Sequence, residues 1–298
     1  MSLLTIFTPT YNRAHTLGRV YESLCRQTCG DFEWLVVDDG STDHTSELVQ
    51  KWITEGKLRI RYIHQPNGGL HTGYNTAYAN IDTELNVCID SDDHMPDDAV
   101  EIIAREWSRR GSDDYAGLIG LDYDVRTALP IGGPFPEWMT ECYFLDLYTK
   151  KLHIGDTKPV MRTELMRKVA PQIGYEGEKN FNPVYMLLQV CDEYPLLVVN
   201  ANLCNVEYQS GDSMSGNIIN QYFNSPRSFS KMRKLEMTLR RSGPKNRARV
   251  TAHYIATSII ARNRRFVQES PRKALTLAML PVGVMLYFYL RYKKDGTR

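Results

Sequence analysis

The chain has 298 residues, 42% hydrophobic and 24% charged. That is enough to bury one substantial core with a smaller appended unit, and it excludes a disordered or low-complexity chain. The net charge is only +1, but from Ser225 onward eighteen Lys or Arg face three acids (Glu236, Glu269, Asp295), against eighteen and thirty-two before it. An acidic body thus precedes a basic tail suited to something anionic: a membrane surface, nucleic acid or an acidic partner. Of six scattered cysteines only Cys25 and Cys29 are close, which gives no zinc site and reads as free thiols in a reducing cytosol. The N-terminus lacks the charged and apolar stretches of a secretory leader, so export by that route is not expected.

Apolar runs at residues 3–9, 32–38, 58–64, 85–90 and 115–123 predict five strands. Helical spacing predicts helices over 15–27, 42–53 with Ser41 or Thr42 as N-cap, 69–80 behind Asn67-Gly68-Gly69, and 96–109 with Pro96 in its first turn. Strands alternating with helices imply an α/β fold, a mainly parallel sheet with helices on both faces. Beyond residue 124 the alternation weakens. Short helices are predicted at 142–151, 160–169 and 181–191, a strand at 196–199, and a helical C-terminal extension over 229–241, 246–262 and 272–292. The expected division is a catalytic domain over 1–224, with a nucleotide half to 125 and an acceptor half to 224, then a basic helical segment over 225–298.

In parallel sheets ligands sit at the carboxyl ends of strands, and polar clusters follow those ends. Asp90, Asp92 and Asp93 stand within four residues after an apolar run. Such carboxylates repel, and Mg²⁺ or Mn²⁺ relieves the repulsion while binding substrate phosphates. The same residues also fit a solvated acidic turn capping the next helix. Asp38-Asp39-Gly40-Ser41 can accept from ribose hydroxyls or a base N–H, or serve as a helix-capping turn. Thr10-Tyr11-Asn12-Arg13 can bracket a nucleobase or form a rigid turn. Gly68 and Gly69 allow close backbone approach, and a helix N-terminus favours phosphate.

The ordered set Thr8 to Arg13, Val36 to Asp43, Asn67-Gly68-Gly69 through Asn75, and Asp90-Ser91-Asp92-Asp93 resembles the inverting GT-A-fold glycosyltransferases of family 2 type, with bacterial polysaccharide and lipopolysaccharide enzymes among them. The resemblance covers roughly the first 125 residues. It implies a Rossmann-like GT-A fold and a nucleotide-binding set of Pro9, Tyr11, Arg13, Asp39, Asn67, Gly69, Asn75 and Asp90. It gives Asp92, with Asp90, to a Mn²⁺ or Mg²⁺ ion. His71 stands where the family often has Lys, Arg or Ala. The family's general base comes from a Glu-Asp pair, and the segment here reads Glu176-Gly177-Glu178-Lys179. Glu178 matches the Glu and Lys179 replaces the Asp. Glu178 is therefore the expected catalytic base, with Glu176 second and Asp192 third, while a helix cap is the alternative role for Glu178. Gly155-Asp156-Thr157-Lys158 resembles the same subgroup and is expected to shape the donor-sugar or acceptor pocket. Residues 208–215, rich in Gly and Ser, fit a lid or a plain surface loop.

The expected function is transfer of one sugar from a nucleotide-diphosphate sugar, UDP-linked, to a saccharide acceptor, lipid-linked, in surface polysaccharide synthesis. The Gln-x-x-Arg-Trp pattern of processive relatives is absent. Residues 275–290 are apolar but short of the roughly twenty residues that span a bilayer. With Arg272, Lys273, Arg291, Lys293 and Lys294 flanking them, they predict a peripheral membrane contact at the cytoplasmic face, or a helix packed on the body or between subunits. No nucleic-acid recognition motif accompanies the basic tail. The rival functions are an inactive membrane-tethered nucleotide-sugar-binding module and a nucleotidyltransferase, the latter disfavoured because Thr10 to Arg13 contains no Gly.

Overall fold

The computed structural model describes residues 2–207 and 218–296; the segment 208–215 read as a lid lies outside them. Strands β1 (Leu4–Thr10), β2 (Phe32–Asp38), β3 (Ile60–His64) and β4 (Leu85–Cys88) alternate with helices α1 (Ala14–Cys25), α2 (Thr45–Glu55) and α3 (Leu70–Asn80). After α4 (Ala99–Arg110) come β5 (Gly117–Asp124), β6 (Leu129–Pro130), β7 (Glu141–Cys142), α5 (Phe144–Thr149), β8 (Thr157–Arg162), α6 (Thr163–Val169), α7 (Val184–Val190) and β9 (Leu196–Val206). The sheet runs β3-β2-β1-β4-β8-β5-β9-β7, with β6 beside β5. Its β1–β4 half is parallel as expected.

Successive side chains of a strand point to opposite faces, so continuous apolar runs feed two cores. Leu4, Ile6, Trp34 and Val36 pack with α1, α2 and α4 residues such as Leu17, Trp52 and Ile103. Phe7, Leu35 and Val37 pack with Ala77, Tyr78, Met186 and Leu187 on the other face.

Two local expectations are corrected. Residues 157–162, partly assigned to a helix over 160–169, form β8, antiparallel to both neighbours; the helix begins at Thr163. Because β8 is reversed, its N-terminal residues Thr157 and Lys158 lie at the same sheet edge as the C-terminal ends of β4 and β5. Helix α2 begins at Thr45, without Ser41 or Thr42 as cap. The Asn12 backbone N–H donates to Ser41 Oγ at 2.9 Å, and Asn12 Oδ1 accepts the Thr42 N–H at 2.7 Å. Both residues are thus drawn back to the β1 loop.

The C-terminal unit contains α8 (Ile218–Asn224), α9 (Pro226–Thr238), α10 (Pro244–Ile260), α11 (Phe266–Glu269), α12 (Lys273–Ala278) and α13 (Leu280–Gly296). Tyr222 packs with Ala256 and Leu290, so α8 joins the helical unit ahead of the expected boundary at 225. In turn, Met232 of α9 and Leu239 just after it belong to the core on one face of the sheet. The expected helix over 272–292 is two helices broken at Met279. One face of α13 packs on α10, where a Cβ on Gly283 would meet the Ile255 side chain at 2.5 Å. Its other face is solvent-facing: Met285, Phe288, Tyr289 and Tyr292 are exposed, as is Leu277 of α12. Among the described residues no helix is long and apolar enough to cross a membrane. All six cysteines are free.

Candidate active site

A cavity of about 830 Å³ runs along the carboxyl edge of the sheet. In sheet order it begins at Pro9, Tyr11 and Arg13 after β1 and Asp39 after β2. It passes Asp90, Asp92 and Asp93 after β4, and ends at Asp156, Thr157 and Lys158 of β8 and Asp122 of β5. Tyr11 is 49% exposed, leaving its ring available as a wall at the β1 end.

The two acidic turns are built differently. Asp38 is fully buried and spent on structure: it accepts the Ser41 N–H at 2.8 Å and the Tyr62 hydroxyl at 2.5 Å. Asp39 holds the next turn. Its Oδ1 accepts from Gln65 Nε2 at 2.7 Å, the Gly68 N–H at 3.0 Å and Thr72 Oγ1 at 3.2 Å, and its Oδ2 accepts the Gly69 N–H at 2.8 Å. A carboxylate has about four acceptor sites, so only Oδ2 keeps capacity for a ribose hydroxyl or base N–H.

This corrects the phosphate reading of the glycines, because the Gly68 and Gly69 amides are already taken by Asp39. Gly69 has a different necessity. Its φ is +93°, and a Cβ there would meet the Lys179 carbonyl oxygen at 2.2 Å. The glycine lets the 176–180 loop lie against α3. Asn67 supports the same contact, donating to the Asp39 carbonyl at 2.8 Å and accepting from Lys179 Nζ. Asn75 leaves the nucleotide set altogether. Its amide is paired both ways with the Gln172 backbone, at 2.7 and 2.9 Å, and it does not line the cavity.

The β4 cluster is a strained group of acids. Burial and the neighbouring Asp90 charge raise the Asp92 carboxyl above the usual range. The Asp93 N–H closes a turn onto the Asp90 carbonyl at 3.1 Å, and His94 exchanges two backbone hydrogen bonds with Asn205 of β9 at 3.1 and 2.7 Å. Among the described residues no three His, Cys, Asp or Glu side chains form a metal cage. Two facing carboxylates under mutual repulsion do fit Mg²⁺ or Mn²⁺, which take one or two protein carboxylates and complete their shell with phosphate and water. Asp90 and Asp92 would hold it.

At the far end Lys158 lies between two acids, its Nζ 3.8 Å from Asp122 Oδ1 and 4.0 Å from Asp93 Oδ2. Burial opposes its charge, and those carboxylates more than offset this, holding the ammonium well above the ordinary lysine range. Burial pushes Asp122 up to about 6 against the pull of Lys158. The sequence reading passed over Asp122. The signal was its place at the end of a strand, the same logic that marked Asp90.

The expected bases lie elsewhere. Glu176 and Glu178 line a smaller cavity of about 340 Å³ with His71 and Tyr175, which adjoins the larger one at Asn67 and Lys179; neither Glu lines the larger cavity. Glu178 is 6% exposed. Its Oε1 accepts the Arg227 N–H and Nε, both at 3.0 Å, and its Oε2 accepts the Ser228 N–H at 2.8 Å. It caps α9, a different helix from the one expected. In this arrangement Glu178 takes up the helix-capping role that was the alternative expected for it. Asp192 likewise accepts the backbone N–H groups of Arg240 and Arg241, at 2.9 and 3.2 Å. His71 is buried, which keeps its pKa low, and its Nδ1 lacks a partner.

A half-parallel sheet with nucleotide-type turns after β1 and β2 and an acidic turn after β4 defines the GT-A class of α/β fold. A profile described as Glycosyl transferase family 2 matches residues 5–165, more than half of the chain, and the chain belongs to that family. It is 35% identical over 105 residues to the chondroitin synthase of Pasteurella multocida, which covers 35% of this chain but only 11% of that protein. The crystal structure of S. aureus TarS 1-349 superposes with a TM-score of 0.63 over 100% of this chain and 92% of its own, at 16% identity; TarS 1-349 has also been solved with UDP-GlcNAc. The mannosyltransferase PcManGT of Pyrobaculum calidifontis, in complex with GDP-Man and Mn²⁺, gives a TM-score of 0.56 at 14% identity, over 96% of this chain and 87% of its own. At these identities the likeness is one of fold.

Proposed function

We propose that the protein transfers a single sugar, with inversion, from a nucleotide-diphosphate sugar, UDP-linked in the first instance, to a saccharide acceptor. The carrying observation is the continuous cavity from the Pro9–Tyr11–Arg13 wall past Asp90 and Asp92 to β8. Its sections match base and ribose, diphosphate and sugar in the order in which a nucleotide sugar presents them. UDP- and GDP-sugar complexes of proteins sharing the fold support a nucleotide-sugar donor. A divalent cation at Asp90 and Asp92 would neutralise the departing diphosphate.

Direct displacement needs one base within reach of the acceptor hydroxyl. Among the carboxylates lining the cavity, Asp39 carries four donors, and Asp90 and Asp92 suit the cation. Asp93 and Asp122 are buried beside Lys158, and Glu207 pairs with Arg19. Our choice of base is Asp156, which is exposed immediately before β8 and lines the sugar end of the cavity.

The exposed apolar face of α12 and α13, flanked by Arg272, Lys273, Arg291, Lys293 and Lys294, supports peripheral contact with an anionic leaflet on the cytoplasmic side. Such contact suits a lipid-linked acceptor in surface polysaccharide synthesis. A screen of UDP- and GDP-sugars with lipid-linked and free saccharides, reading nucleotide release with and without Mn²⁺, tests the proposal. Tight UDP-sugar binding with no release for any acceptor would favour the inactive binding module instead.

A further inference from the structure

Lys158 and Asp122 serve neither nucleotide nor metal in the reading above, and both line the end of the cavity beyond Asp92. Asp122 is 4% exposed, and its Oδ1 has no hydrogen-bond partner. Lys158 is 8% exposed, with Nζ 3.8 Å from Asp122 and 4.0 Å from Asp93, beyond hydrogen-bond length. Buried opposite charges ordinarily close to contact, because unpaired donors and acceptors away from water are costly. Here the charges balance at a distance, Asp122 Oδ1 stays buried without a hydrogen-bond partner, and both residues line the cavity.

An ammonium offers three donors, and a carboxylate offers only acceptors. At 3.8 Å nothing fits between them, but a hydroxyl lying to one side, about 2.8 Å from each, donates to the carboxylate and accepts from the ammonium. Position agrees with chemistry. The register sets Gly120 beside Lys158 and Leu121 beside Thr157, at the edge one strand beyond β4, where the sugar of a bound nucleotide sugar falls. Tyr148, 42% exposed with its hydroxyl 3.3 Å from Thr157 Oγ1, adds an aromatic wall.

We infer that Asp122 and Lys158 bind hydroxyls of the donor sugar, and that the transferred sugar is a neutral hexose or N-acetylhexosamine and not a uronate. A uronate carboxylate would meet Asp93, Asp122 and Asp156. Among the described residues Lys158, already shared by two of those acids, is the one Lys or Arg lining this end; Arg13 and Lys179 lie toward the nucleotide end. The inference rests on reading the cavity as a donor site.

The test measures binding of UDP, UDP-glucose, UDP-galactose, UDP-N-acetylglucosamine and UDP-glucuronate to the full-length protein with Mn²⁺. Failure to bind UDP removes the donor-site reading and this inference with it. Given UDP binding, the best neutral donor should bind at least about tenfold more tightly than UDP-glucuronate, the loss expected for an uncompensated charge in a partly buried site. Asp122→Asn keeps the side chain's size. It should leave UDP affinity within about twofold while reducing that preference to about threefold or less, by weakening the neutral donors and relieving the uronate. Glucuronate binding as tightly as the best neutral donor overturns the inference and leaves the nucleotide pocket standing. So does an undiminished preference in folded Asp122→Asn. Should that variant unfold, the wild-type comparison decides alone.

Discussion

Glu178→Gln separates a cap from a base. The carboxylate holds three donors of the α9 N-terminus at 2.8–3.0 Å. Glutamine keeps one acceptor oxygen and turns an NH₂ against a backbone N–H. Loss of the cap costs about 1 kcal/mol. The ion pair with Arg227, whose side chain is 48% exposed, is discounted for solvent to about 0.5 kcal/mol. The donor facing a donor adds about 1 kcal/mol. A total of about 2–3 kcal/mol lowers Tm by roughly 5–10 °C in a protein of this size. Calorimetry with and without UDP, paired with steady-state transfer, reads both quantities. The variant should melt early and keep kcat within about tenfold, whereas Asp156→Asn should keep its Tm and lose roughly 10²–10⁴ in kcat, the range of one general base. An unchanged Tm with a thousandfold loss of kcat in Glu178→Gln would refute the assignment and return Glu178 to the reaction.

Gly69→Ala must either strain a left-handed backbone or push back the Lys179 carbonyl 2.2 Å away; the expected cost is about 2–5 kcal/mol, read by chemical denaturation, with weaker UDP binding as the 176–180 loop moves. Asp92→Asn should abolish stimulation by Mn²⁺ while leaving the fold intact, checked by metal titration of nucleotide release and by Tm. On α13, Phe288→Ser with Tyr292→Ser removes rings that are 61% and 76% exposed; sedimentation with anionic vesicles should fall at least about tenfold, each inserted ring being worth about 1.5–3 kcal/mol, and an unchanged pellet, or lost self-association in its place, counts against the membrane. His253, packed by Tyr222 with its Nδ1 3.0 Å from that hydroxyl, is pushed down to about 4 by burial and by Arg233 and Arg249. Its folded pKa lies below the unfolded value, so its contribution is complete above about pH 6.5 and is lost as pH falls toward 4, by no more than about 2 kcal/mol after allowance for solvent. His253→Gln should flatten that part of the stability–pH curve.

The first half of the fold was legible because each strand is an apolar run closed by a polar turn, a pattern visible without partners. Strand β8 was not. Val160, Met161, Leu165 and Met166 fit helical spacing as well as two separate elements, and what makes residues 157–162 a strand is the gap between β4 and β5, which no local window contains. The strand matters for the site, since it sets Lys158, and Asp156 just before it, at the cavity edge.

The site residues divide along a similar line. Asn12, Asp39, Asn75 and Glu178 were picked out as chemistry, and each is committed chiefly to another segment's backbone. Asn12 binds the Ser41–Thr42 turn, Asp39 the Gly68–Gly69 turn, Asn75 Gln172, and Glu178 the start of α9. Polar residues at fixed spacing after strands are what a ligand requires, and they are equally what neighbouring turns require to satisfy buried amides. Sequence cannot tell these two demands apart. Unsatisfied capacity can: Asp92 with its raised pKa, Asp122 with an unpaired oxygen and Lys158 held short of hydrogen-bond contact each keep an interaction in reserve. On the proposed reading of the cavity, these incompletely satisfied residues are the ones that meet the substrate.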